Sequence, residues 1–211
     1  MPSMTPTSTC TCGASVADDK LHFFSCKLLK RRQVTDRHNR IASTLKTLAD
    51  LGGFGCILEP AIYDRVPGAT RKRPDVEFLS PTGSLFGDVT VCNPAAPSRI
   101  ERRMNYATSI AAVESQKKTK YVRWLQAQNQ PGLFCPLALS IFGGFGEGLR
   151  NCLNVLDKDV SLTSRQTLTS LNNSWLTYAR NLISVTLVKE NAAIVHAGWQ
   201  NVLRVRQLLF N

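Results

Sequence analysis

Cys10-Thr-Cys12-Gly13 is followed, after eight residues, by His22-Phe-Phe-Ser-Cys26, so four soft metal donors lie within 17 residues. Zinc takes four Cys or His donors in a tetrahedron, and small sites supply them as two close pairs. Cys10 and Cys12 form one pair on a knuckle whose tight turn Gly13 permits. His22 and Cys26 form the other, four apart, so a single helical turn puts both on one face. The alternative is a set of unconnected residues, with His22 opening a helix, because Cys-x-Cys is tighter than the common Cys-x-x-Cys clamp. The other cysteines, Cys56, Cys92, Cys135 and Cys152, sit among apolar neighbours and are expected to be small core residues.

The second candidate site is built from hard donors. Asp75-Val-Glu-Phe-Leu-Ser80 and Ser84-Leu-Phe-Gly-Asp88-Val-Thr-Val-Cys92 flank the turn Pro81-Thr-Gly83 and read as a β-hairpin centred near residue 82. Antiparallel pairing about that centre places residue 75 across from 88 or 89, although Asp75 and Asp88 are thirteen positions apart. Facing residues have Cβ atoms about 5 Å apart, which suits two carboxylates on one divalent cation. Mg²⁺, a hard ion, takes one or two carboxylates plus water and phosphate. Glu77 shares the strand face of Asp75 and is a further candidate ligand, with Glu59 behind it. The competing reading makes Asp75 a solvent-exposed strand cap and Asp88 an edge charge. Downstream, Lys117 and Lys120 are three apart and share a helix face, beside Tyr121.

These residues need elements to carry them. Ile41, Leu45, Leu48, Ala49 and Leu51 recur at helical spacing, and Gly52-Gly53 stops the helix. A short strand in CILEPAIY, the hairpin, a long helix over roughly 99–128 and a strand over 133–141 follow. The order predicts an α/β sandwich around a small mixed sheet. Phe142-Gly-Gly-Phe-Gly-Glu-Gly148 reads as a flexible connection rather than a nucleotide loop, and helices are predicted over roughly 164–180 and 184–209. Trp175 and Trp199 are expected to anchor the core, whereas His38 and His196 show no partner in the sequence.

Composition bounds the class. The chain has 211 residues, 43 % hydrophobic, enough for a real core in one main domain with small additions. Twenty-six Lys and Arg against fifteen Asp and Glu leave +11, which favours an anionic partner. Six of the fourteen residues in 27–40 are basic, as either a phosphate-contacting patch or a solvated helix face. Seven cysteines cannot all pair within the chain, residues 1–13 lack an apolar signal core, and no apolar run reaches the ~20 residues of a membrane span. The expectation is a reduced, intracellular protein without a membrane partner.

Taken in order, the knuckle, Arg73-Pro74-Asp75, Asp88-Val-Thr-Val and Lys117-x-x-Lys120-Tyr121 resemble the restriction-enzyme-like endonuclease domain of site-specific non-LTR retrotransposons, a branch of the PD-(D/E)xK superfamily. The resemblance covers about residues 10–142. It implies a restriction-endonuclease-like core (α-β-β-β-α-β, a small mixed sheet flanked by helices). The implied division is a disordered tail over 1–9, a Cys-Cys-His-Cys zinc knuckle over 10–30, a nuclease core over 31–145 and a helical extension over 146–211.

The activity it implies is Mg²⁺-dependent hydrolysis of a DNA phosphodiester, nicking a target for insertion. Asp75 and Asp88 would be the Mg²⁺ ligands, Lys117 or Lys120 the catalytic lysine and Tyr121 its neighbour; Cys10, Cys12, His22 and Cys26 would hold structural Zn²⁺. The superfamily's common form puts a lysine where this chain has Thr90, and the retrotransposon branch moves it to the following helix. Arg71, Lys72 and Arg73 precede the site and Arg99, Arg102 and Arg103 open the long helix, so these six are expected to contact the DNA backbone; Arg71-Lys72-Arg73 also reads as a nuclear-import signal. Partners would be DNA, element RNA and an upstream reverse transcriptase region that 211 residues cannot contain, and the compartment would be the nucleus. Two alternatives stay open: a non-catalytic nucleic-acid-binding remnant, and a stand-alone resolvase or repair nuclease of the same superfamily.

Overall fold

The computed structural model describes residues 9–61, 73–81, 83–127, 132–170 and 173–210. After a single helical turn at His22–Phe24, the chain enters α1 (Lys27–Leu29), passes through one widened turn at Lys30–Val34 and continues as α2 (Thr35–Gly52). The α2 stripe is the expected one: Ile41, Leu45, Leu48 and Ala49 are all buried. The helix stops where glycine allows it. Gly53 adopts φ +81°, its N–H bonds to the Asp50 carbonyl, and the Phe54 N–H reaches back to Ala49. This paired closure satisfies the last carbonyls and turns the chain toward the sheet.

Four strands follow: β1 (Gly55–Leu58), β2 (Val76–Ser80), β3 (Gly83–Cys92) and β4 (Gly132–Ser140), in spatial order β1-β2-β3-β4. The first two pairings are antiparallel and β3–β4 is parallel, so the sheet is mixed. A parallel neighbour needs a crossover, supplied by α3 (Pro97–Glu101) and α4 (Tyr106–Ala127). Beyond the sheet lie α5 (Glu147–Asp159), α6 (Leu162–Ser170) and α7 (Trp175–Phe210). The protein is thus an α/β fold with a small mixed sheet between helices.

Alternation along β3 sends residues to two different layers. Leu85 and Val89 join Val76, Phe78, Leu137 and Leu139 in the main core, against α2 and the Leu149–Leu153 stripe of α5. Phe86 and Cys92 face α4, against Tyr121 and Leu125 and against Ile110 and Val113. Gly87 sits where a Cβ would lie 2.4 Å from Leu137 Cδ1 and 2.9 Å from Val76 Cγ2, so only glycine lets three strands pack here.

Helix α7 joins two cores. Trp175, Ala179, Ile183 and Leu187 belong to the main core, and the Trp175 indole donates to the Leu48 carbonyl at 3.0 Å. Further along, Ile194 and Val202 pack with Cys10, Val16, Phe23, Cys26 and Leu29 in a second, smaller cluster.

Three expectations are corrected. The helix over 99–128 is two helices: Arg103 takes φ +52°, and the Asn105 side chain accepts the Thr108 N–H at 2.9 Å and caps α4. The segment after the glycine-rich turn is not a connection throughout, because α5 begins at Glu147 and buries Leu149, Cys152, Leu153 and Leu156. Helices over 164–180 and 184–209 become α6 and one unbroken α7, since Ala179, Ile183 and Leu187 continue a four-residue stripe across the expected gap. Among the described residues no helix is long and apolar enough to cross a membrane.

Candidate active site and metal cluster

The sheet has a step. Strand β2 begins at Val76 opposite Gly87, while β3 runs on to Cys92 paired only with β4. Asp75 precedes β2 at this step, and its N–H bonds to the Gly87 carbonyl at 2.9 Å. The β2–β3 pairing ends at Val76 and Gly87, so Asp75 lies one residue beyond it, on the side toward Asp88 and Val89. The Asp75 Oδ2 accepts the Val89 N–H at 2.6 Å, and its own carbonyl accepts the Glu59 N–H at 2.8 Å. Asp88 points to the α4 side and is 4 % exposed.

Helix α4 brings the first cation. Lys117 Nζ lies 2.5 Å from Asp88 Oδ2, and the Thr90 hydroxyl is 3.5 Å from the same oxygen. One turn on, Tyr121 is buried with its ring stacked on Phe134 at 4.8 Å. Its hydroxyl donates to the Arg73 carbonyl at 2.9 Å and accepts from Lys120 Nζ at 3.0 Å. Burial pushes the phenol pKa well up, and the hydrogen bond and charge of Asp88, with the charge of Asp75, push the same way. Tyr121 therefore stays a hydrogen-bond donor. The two lysines differ in place: Lys117 meets a carboxylate, Lys120 a phenol.

Helix α2 brings a residue that the sequence did not mark. His38 Nε2 lies 3.3 Å from Asp75 Oδ1. Its pKa is raised chiefly by that hydrogen bond; burial opposes the shift, the charges of Asp75 and Asp88 support it and Lys117 works against it. His38 and Asp75 line a cavity of about 260 Å³ together with Asn39, Ala42, Ser43, Leu58 and Glu59. The overlooked signal is positional: residue 38 precedes Ile41, Ala42 and Leu45 in the sheet-facing stripe of α2.

The other candidates divide. Glu77 is 1 % exposed, and its Oε1 accepts the Ser84 hydroxyl at 2.9 Å, so it is held inside the hairpin. Glu59, at φ +48°, forms an ion pair with Arg73. Arg99 donates to the Ser109 carbonyl at 3.0 Å, while Arg102 and Arg103 are exposed beside it. Arg71 and Lys72 lie outside the described residues.

The four soft donors do converge. The ligand atoms of Cys10, Cys12, His22 and Cys26 lie within 4.8 Å of one another, with the Cys10 and Cys26 sulfurs 3.7 Å apart and Cys12 Sγ 3.1 Å from His22 Nε2. A tetrahedral zinc site with Zn–S of about 2.3 Å has sulfurs about 3.8 Å apart. The donor set and its spacing fit structural zinc. The tight Cys-x-Cys spacing is absorbed by the turn, where the Gly13 N–H bonds to the Cys10 carbonyl and Gly13 takes φ +90°. The cluster is buried against α7: Phe23 meets Trp199 edge-on at 5.5 Å, and a Cβ on Gly198 would lie 2.4 Å from the Phe23 ring.

The chain matches no known protein-family model and no curated protein.

Proposed function

We propose that the chain is a Mg²⁺-dependent DNA endonuclease with a restriction-endonuclease-like core, of the kind that nicks target DNA beside a reverse transcriptase. The observation that carries this reading is the ion pair of Lys117 on the crossover helix with the buried Asp88 of β3, with Asp75 one residue before the strand that pairs with β3. The element order from α2 through β1, β2, β3 and α4 to β4 is the α-β-β-β-α-β order that such a core requires. The +11 charge agrees with a polyanionic substrate, and a DNA target agrees with work in the nucleus.

Two carboxylates are hard oxygen donors and suit Mg²⁺ better than the softer metals that the knuckle selects. Asp75 and Asp88 are the residues that would hold Mg²⁺, and the chemistry the ion would supply is Lewis-acid polarisation of a phosphoryl oxygen and a lowered pKa for its water. The remaining roles belong to the chain. Lys117, beside the metal ligand Asp88, is placed to turn its ammonium to the attacked phosphate and stabilise charge developing there. Tyr121 ties the Arg73 backbone to α4, which holds the Pro74-Asp75 corner against the helix that carries Lys117. Arg102 and Arg103 offer exposed charge for backbone phosphates.

One observation favours a second reading. Each aspartate already has a basic side chain beside it, His38 at Asp75 and Lys117 at Asp88, an arrangement that a DNA-binding protein without catalysis would also keep. Zinc-loaded protein with supercoiled plasmid and Mg²⁺, beside Asp75→Asn and Asp88→Asn variants, decides between them. Metal-dependent conversion to open circle, lost in both variants, supports the endonuclease. Equal DNA binding by all three proteins with no conversion in any favours the binder.

A further inference from the structure

We propose that His38 is a positioning residue: by hydrogen-bonding Asp75 from α2 it orients the carboxylate for cation binding. The inference rests on the metal-site reading above and names a component of that site outside the aspartates and lysines.

Asp75 lies just outside β2, where its backbone carbonyl accepts the Glu59 N–H at 2.8 Å. Two further contacts hold its carboxylate. The Val89 N–H holds Oδ2 at 2.6 Å, and His38 Nε2 meets Oδ1 at 3.3 Å. They arrive from different layers, one from the sheet and one from the helix packed on it. An ionised carboxylate only accepts hydrogen bonds, so Nε2 must carry the hydrogen in this contact. That nitrogen is then a donor to Asp75 and cannot take a proton from water, which separates His38 from a general base acting through Nε2.

The imidazole is also firmly carried. One and two turns along α2, Ile41 and Leu45 are 1 % exposed in the main core, so the helix cannot shift without disturbing the sheet packing. A donor on a rigid element, bonded to a ligand carboxylate, sets the direction of that carboxylate's lone pairs and raises metal affinity without touching the metal. The open side of the pair faces the cavity of about 260 Å³, a route for water and cation to Asp75.

The test reads metal uptake, not cleavage. Zinc-loaded full chain is titrated with Mn²⁺, and free Mn²⁺ is followed by electron paramagnetic resonance for wild type, His38→Ala, His38→Gln and the Asp75→Asn/Asp88→Asn double variant. The double variant defines uptake elsewhere. His38→Ala should weaken the remaining site about 10- to 100-fold. His38→Gln, which keeps an N–H near the Nε2 position, should recover most of that loss. Binding to a DNA duplex without added divalent metal should be the same for wild type and both His38 variants. Equal Mn²⁺ affinity in wild type and His38→Ala overturns the inference alone. So does a His38→Gln variant no better than His38→Ala, or a loss of metal-free DNA binding, which would make His38 a DNA contact. Wild-type uptake no greater than that of the double variant overturns the metal site itself, and the inference with it.

Discussion

The knuckle and the sheet step are both polar clusters, but they are assembled in opposite ways. The knuckle draws four donors from 17 consecutive residues and has only a small apolar cluster behind it. The step gathers residues from α2, the β2 entrance, the middle of β3 and α4, with positions 38 and 121 at its extremes, over a core of more than twenty buried side chains. The first has donors placed for a structural zinc ion to tie together, whereas the second is held by the packing of the elements beneath it. Metal affinity and folding free energy are the same quantity at a structural zinc site, whereas hydrophobic burial alone can hold the step in shape.

The largest effect should come from zinc removal, since structural zinc contributes roughly 10–16 kcal/mol in small metal-folded modules. Chelation, or Cys26→Ser at a fully buried ligand, should release the segment over 9–29 to protease and shift the emission of Trp199, which packs on Phe23. The main core, with Trp175 bonded to Leu48, should still melt cooperatively. Loss of all structure in one step on chelation would show that α7 couples the regions so tightly that they fold as one. The reciprocal change, Leu45→Ala in the main core, should cost about 2–5 kcal/mol of urea stability and leave zinc stoichiometry unaltered.

For the proposed nuclease, the two lysines sharpen the contrast between a cation on a carboxylate and one on a phenol. Lys117→Met should lower the cleavage rate about 100- to 1,000-fold, the range for losing one preorganised charge-stabilising group. Lys120→Met, which removes a donor to Tyr121, should lower it by less than Lys117→Met does. Equal losses would mean that the lysines act as an undifferentiated basic face. Lys117→Met also leaves Asp88 buried beside no ammonium, so metal-free protein should lose stability that Mg²⁺ restores.

How much was legible follows from how the parts are held together. The knuckle could be read because its ligands are neighbours in the chain. The β2–β3 hairpin could be read because a short turn fixes its register. The helix crossing that delivers Lys117 was visible in the element order. His38 was not, because its partner lies 37 residues on, in a different layer, and nothing local to 27–40 distinguishes it from the surrounding charge. Helix α5 was hidden by the glycines around its start: Gly148, its second residue, lies under the Pro136 carbonyl, where a Cβ would be 2.3 Å away, so close packing rather than flexibility demands it. The unbroken α7 was hidden for another reason, since its stripe serves two cores in succession.

A last comparison sets two buried acids near α4 side by side. Asp88 has Lys117, whereas Glu114 on α4 is 6 % exposed and accepts the Gly148 N–H at 2.8 Å near the start of α5. Burial raises the Glu114 pKa; the Gly148 hydrogen bond and Lys118 oppose the shift, Glu147 adds to it and Arg150 works against it. A carboxyl whose folded pKa exceeds its unfolded value of about 4.3 binds protons more tightly in the folded state. Its contribution to stability is therefore greatest in acid and falls as pH rises through the interval between the two values. Glu114→Gln keeps an oxygen for Gly148 but removes the titration. Urea melts from mildly acidic to neutral pH should show wild type losing stability relative to Glu114→Gln across that interval, with a constant difference above it. A constant difference at every pH would mean that the Gly148 N–H and the neighbouring cations hold Glu114 ionised as readily in the fold as in water, offsetting its burial.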